Sequence, residues 1–218
     1  MDGEIFLKLI SFGDELTLNP YVDQLAKSLN MSPVQKGAED TSNEKIFNDV
    51  NKFICEKSSF INDLTLQPIY PTETFLLIGW TNTCRRSVYW KDTYFTFRPD
   101  KRDYVDNGIN ALHKFEETLF NPVLLSDQWL TTALALQWSL SALGIKYFMY
   151  NTQDCILYNT HNKDKLKSLD PHTYYNPVNI KSSMKYYLEN RGLDITTEHG
   201  NEVWATFLYN KIKNGLNL

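Results

Sequence analysis

The sequence predicts an α/β domain built on a mostly parallel sheet with helices on both faces, and three observations carry that expectation. Two short runs, residues 4–11 and Phe75-Leu76-Leu77-Ile78-Gly79-Trp80, are apolar almost without a break, as a strand reads when both of its faces are covered. Stretches whose apolar residues recur at helical spacing lie between and after them. Around Gly144 the order is helix, glycine, strand, which together with the strand and helix at the N-terminus describes βαβ units.

Each element has its own local reason. The first strand ends at the turn residues Ser11-Phe12-Gly13-Asp14. Asn19-Pro20 then offers an N-cap followed by proline at the first helical position, and Tyr21, Val22, Leu25 and Leu29 fall on one face of the helix that follows. Residues 31–35 suggest a second strand, kept to the sheet edge by Pro33. Thr41-Ser42-Asn43-Glu44 has the form of a capping box, and Ile46, Phe47, Val50, Phe53 and Ile54 continue as a helical stripe. After the strand ending at Trp80, residues 85–103 are aromatic and charged with poor periodicity, which suggests an excursion over the sheet edge. Helical pattern returns over 105–119, and again from a Ser126-Asp127 cap to Gly144, the expected glycine just past a helix end. Residues 145–151 read as a strand and 194–208 as a closing amphipathic helix.

Composition bounds the function. A chain of 218 residues, 42% hydrophobic and 22% charged, can bury a core without disulfides or a structural metal, so one domain over 1–218 is expected. A net charge of -4 argues against general affinity for nucleic acid, leaving only a local basic patch at Arg85-Arg86 and Lys91. Cys55, Cys84 and Cys155 are widely spaced and form no zinc pattern, which fits a reducing cytoplasm. No stretch near the N-terminus is long and apolar enough for a membrane span or signal segment.

In open α/β sheets the ligand crevice lies beyond the carboxyl ends of the strands, so the residues just after each strand are the candidates. After the first strand comes Phe12-Gly13-Asp14-Glu15-Leu16-Thr17, and after the second Gly37-Ala38 with Thr41-Ser42-Asn43. After the third comes Gly79-Trp80-Thr81-Asn82, with Arg85 and Arg86 close behind. The chain closes on Asp194-Ile195-Thr196-Thr197-Glu198-His199-Gly200-Asn201 and a helix through Trp204. In order and spacing these blocks resemble those of the SGNH, or GDSL, hydrolases, and the Gly-Trp-Thr version is similar to that of SGNH-like proteins encoded by tailed phages.

The resemblance implies a three-layer α/β/α sandwich with a mainly parallel, flavodoxin-like central sheet, located in the host cytoplasm if phage-encoded. It also implies a serine nucleophile where this chain has Glu15, an asparagine where it has Thr81, and a histidine where it has Ile195. Without the serine and histidine, ordinary esterase activity is not expected.

Two sets of residues remain as candidates. Asp14 and Glu15, joined by Asp194 and His199 of the last block, would suit acid–base chemistry or a divalent metal. The alternative is that Asp14 caps a turn, Glu15 is solvated and His199 decorates a helix surface. No metal site or cofactor is predicted outright. Gly13, Gly37, Gly79, Thr81, Asn82, Arg85 and Arg86 form the second set, suited to a small anionic ligand through backbone N–H groups and a guanidinium fork. The aromatic segment from Tyr89 to Phe97 suits either a protein partner or the core. A divergent non-serine hydrolase or transferase, a non-catalytic binder of a small anion and a phage accessory protein thus stand as the three functional expectations.

Overall fold

The computed structural model describes residues 7–37, 39, 41–58, 74–83, 85–90, 93–97, 108–111, 114, 121–153, 163–177 and 182–216. Strand β1 (Lys8–Phe12) lies between β2 (Ser32–Gln35) and β3 (Thr74–Trp80), and β3 pairs on its other side with β6 (Lys146–Asn151). Every pairing in this sheet, ordered β2-β1-β3-β6, is parallel. A further parallel bridge joins Met149 of β6 to Tyr174, extending the sheet by one residue pair. The expected parallel α/β architecture is therefore present.

Side chains alternate across the sheet, and the alternation sorts them into two cores. Ile10, Phe12, Leu76, Ile78, Trp80, Tyr147 and Met149 face one layer, formed by helices α2 (Asn43–Ser58) and α3 (Pro122–Ala142). Leu9, Phe75, Leu77, Phe148 and Tyr150 face the other, formed by α1 (Tyr21–Ser28), α5 (Met184–Glu189) and α6 (Glu198–Leu216). All seven residues of β3 are buried, which is why its sequence reads as an unbroken apolar run. A short helix α4 (Lys163–Lys167) rests on α3.

Several local expectations change. Asn19 does not cap α1. Its side-chain amide donates to the carbonyl of Leu16, and Pro20 takes the cap position. The first N–H of the helix, Tyr21 N, is instead satisfied by Asn201 Oδ1 of α6 at 2.9 Å, a long-range cap no local pattern can reveal. Helix α3 starts before Ser126: Asn121 caps it, accepting from the amides of Val123 and Leu124, with Pro122 next. At its other end Gly144 has φ of +66°, as a glycine past a helix end should.

The excursion after β3 contains an antiparallel hairpin, β4 (Arg86–Trp90) and β5 (Thr93–Phe97), which packs against α2. Of the helix expected over 105–119, residues 108–111 and 114 are helical, and the remainder lies outside the described residues. The closing helix begins at Glu198, four residues later than expected, and residues up to Thr197 form the turn that leads into it. No described helix is long and apolar enough to cross a membrane.

Candidate functional site

The parallel sheet delivers the ends of β1, β3 and β6 side by side, and residues just beyond all three meet there. Directly after β1, Gly13-Asp14 turns the chain into a 3-10 turn over Glu15–Leu18. Asp14 caps that turn, its Oδ1 accepting from the amide of Leu16 at 3.1 Å. From the end of β6, the Thr152 hydroxyl donates to Asp14 Oδ2 at 2.9 Å and the Gln153 amide donates to the same oxygen at 3.2 Å. Thr81, just after β3, is buried beside this carboxyl.

Burial pushes the Asp14 carboxyl above its ordinary range, and the negative charge of Glu15 pushes the same way. The hydroxyls of Thr81 and Thr152 and the Arg85 guanidinium oppose the shift. Asp14 is fully buried, and it caps the turn as the alternative expectation has it.

Glu15 is not simply solvated. Arg85 Nη1 donates to its Oε2 at 2.8 Å and Nη2 to its Oε1 at 2.6 Å, a two-pronged fork. The Glu15 side chain is 31% exposed and that of Arg85 only 5%, with Asp14 Oδ2 a further 3.9 Å from the guanidinium. Arg85 reaches this position because its amide bonds back to the carbonyl of Asn82 at 3.1 Å, closing a turn immediately after β3. Thr81 itself is fixed through its backbone: Asn43 at the start of α2 accepts from Thr81 N at 2.9 Å and donates to Thr81 O at 3.1 Å. Arg86 points elsewhere, with its Nε 3.6 Å from Glu44.

The three glycines have a shared packing role. A Cβ at Gly13, Gly37 or Gly79 would collide with the side chain of Thr17, and one at Gly79 would also lie 2.8 Å from Tyr150 Oη. Thr17 is buried and its hydroxyl donates to the carbonyl of Asp14 at 2.7 Å, so it fills the space these strand ends leave open. Below it the phenols of Tyr21 and Tyr150 share a short hydrogen bond, both held above the ordinary tyrosine range chiefly by burial.

The structure does not bring the last block to this cluster. Asp194 is exposed and accepts from the amide of Thr196 at 2.8 Å, a bond that lowers its pKa and organises the turn before α6. His199 is exposed on α6, 3.8 Å from Glu202, and lines a surface recess with Tyr187 and Phe207. Ile195, where the resemblance places a histidine, packs against the second core. Among the described residues no group of three or more His, Cys, Asp or Glu is placed to hold a metal ion. Thr152 and Gln153 belong to the site but not to the expected set; the rule of inspecting each strand end, applied to β6, would have found them.

No protein-family model matches the chain, and neither does any curated protein. Among solved structures, it is similar to an acetyl xylan esterase at 13% identity, with a TM-score of 0.46 over 96% of this chain and 99% of the other. It is similar also to a lipase/acylhydrolase from Enterococcus faecalis at 13% identity, with a TM-score of 0.39 over 95% of each chain.

Proposed function

We propose that this chain is a divergent SGNH-hydrolase-like protein of the phage-encoded type, working in the host cytoplasm, in which Ser–His acyl transfer is lost and the crevice binds a small anion. The observation that carries this reading is the Glu15–Arg85 fork. A serine nucleophile needs a hydroxyl and a base to activate it, whereas the residue in its place is Glu15, whose carboxylate is engaged through both oxygens by one guanidinium. His199 and Asp194 have their own partners on α6 and its leading turn.

A guanidinium fork holding a side-chain carboxylate is equally matched to the carboxylate or phosphate of a ligand. Glu15 is the more exposed member of the pair and so the one that yields, while Arg85 stays anchored. Glu15 thus acts as a place-holder for the ligand.

The test combines turnover and binding. Wild-type protein is expected to leave p-nitrophenyl acetate at the buffer rate, and inorganic phosphate to bind in calorimetry. Glu15→Gln should tighten phosphate about tenfold, or about 1.4 kcal/mol, and Arg85→Met should remove binding with the circular dichroism spectrum unchanged. Ester turnover by wild type that disappears in Glu15→Gln would replace this reading with non-serine acid–base catalysis.

A further inference from the structure

A small recess, which Arg85 also lines, opens between the start of α2, the loop after β3 and the first half of α3. It is lined by Asn43, Glu44, Thr83, Arg85, Gln128 and Trp129, among others, and its volume is about 20 Å³. Three of these residues each carry a buried polar atom with no partner among the described residues: the indole Nε1 of Trp129, the hydroxyl of Thr83 and Oε2 of Glu44. Trp129 is 3% exposed and Thr83 is 4% exposed. A buried polar atom with nothing to bond is costly, so three of them on residues that line one recess call for a common partner.

The chemistry of the three atoms defines that partner. The indole N–H only donates and needs an acceptor, the carboxylate oxygen only accepts and needs a donor, and the threonine hydroxyl does either. An anion satisfies the indole but offers Glu44 no donor. An ammonium satisfies Glu44 but gives the indole nothing. A hydroxyl group meets both at once, and a volume of this size admits about one such group.

We propose that this recess is a binding site for a single hydroxyl group, accepting from Trp129 and donating to Glu44, supplied either by a water molecule or by the hydroxyl of an alcohol or polyol. The recess is well suited to hold its occupant still. Trp129 is clamped edge-on by Tyr174, with ring centroids 6.3 Å apart and planes at 80°. Glu44 is tethered through its other oxygen to Arg86, and Asn43 beside it is fixed by its two bonds to Thr81. The inference does not depend on the anion reading of the crevice.

The indole proton of Trp129, assigned by its loss in Trp129→Phe, reports on the site by NMR. Methanol titration separates the two sources. A saturable shift of that proton shows an organic hydroxyl entering, whereas a cross-peak to a long-lived water without a saturable shift shows water in residence, and either supports the site. In Thr83→Val, methanol affinity should fall at least fivefold, or the water cross-peak should vanish, while the other indole resonances keep their positions. The proposal is overturned if the Trp129 proton shows neither response and exchanges with solvent as fast as that of the exposed Trp138.

Discussion

Asp14 and Glu15 are neighbours in sequence but have opposite electrostatic roles. Asp14 is enclosed by strand ends and kept toward its neutral form, while Glu15 reaches out to pair with Arg85. The raised Asp14 pKa makes a prediction with a definite sign. Folding is helped by a carboxyl that stays protonated: the contribution is whole below the ordinary value of 3.8 and is lost as pH rises through the native value. Asp14→Asn cannot ionise and escapes that loss, whatever constant cost its changed hydrogen bonds impose. Urea midpoints of wild type and variant between about pH 4 and pH 8 should therefore drift in favour of the variant as pH rises. Parallel curves would mean that Asp14 is ionised throughout.

At the scale of elements, the turn after β1 and the ends of β2 and β3 are interlocked by Thr17. Gly37→Ala would place a methyl against the Thr17 hydroxyl and 3.1 Å from Leu18 Cδ2, and overpacking of this kind costs about 1–3 kcal/mol. Thr17→Ala vacates the contested space. A double-mutant cycle by chemical denaturation should give a coupling of about 1 kcal/mol or more, the double variant being less destabilised than the two singles added. Simple additivity would show that the contact is not felt.

The same interlocking marks how far the sequence could be read. Strands β1, β3 and β6 and the stripes of α1 and α2 were legible because burial on one or two faces leaves a periodic imprint. The β4–β5 hairpin was not: Tyr89, Trp90, Tyr94, Phe95 and Phe97 put aromatics at both parities and erase the alternation that marks a one-sided strand. Asn19-Pro20 and Asn121-Pro122 carry the same capping signature, yet only the second caps its helix, since Asn201 from the far end of the chain takes over at the first. In the site, strand-end logic found Asp14, Glu15, Thr81 and Arg85, whereas counting along the last block placed Asp194 and His199 where tertiary packing does not bring them.

For the molecule as a whole, the sheet is covered by two helical layers, and the hairpin packs beside them against α2. Each residue of β3 is buried, and the strand is hydrogen-bonded on both sides. Its amides should exchange with deuterium only through global unfolding. The β4–β5 amides, paired among the described residues only with one another, should exchange at least a hundredfold faster by local opening. Equal protection in both would make the hairpin part of the cooperative core.

The outer strand β2 has a bearing on how copies of this chain behave when crowded. Ser32 and Lys36 donate inward to β1, so by the alternation of a parallel strand Pro33 and Gln35 present their backbone outward. Proline has no N–H to offer there. An approaching strand from another copy meets an edge missing a donor within a four-residue strand, too little to seed a growing ladder, and the sheet resists clumping along β2.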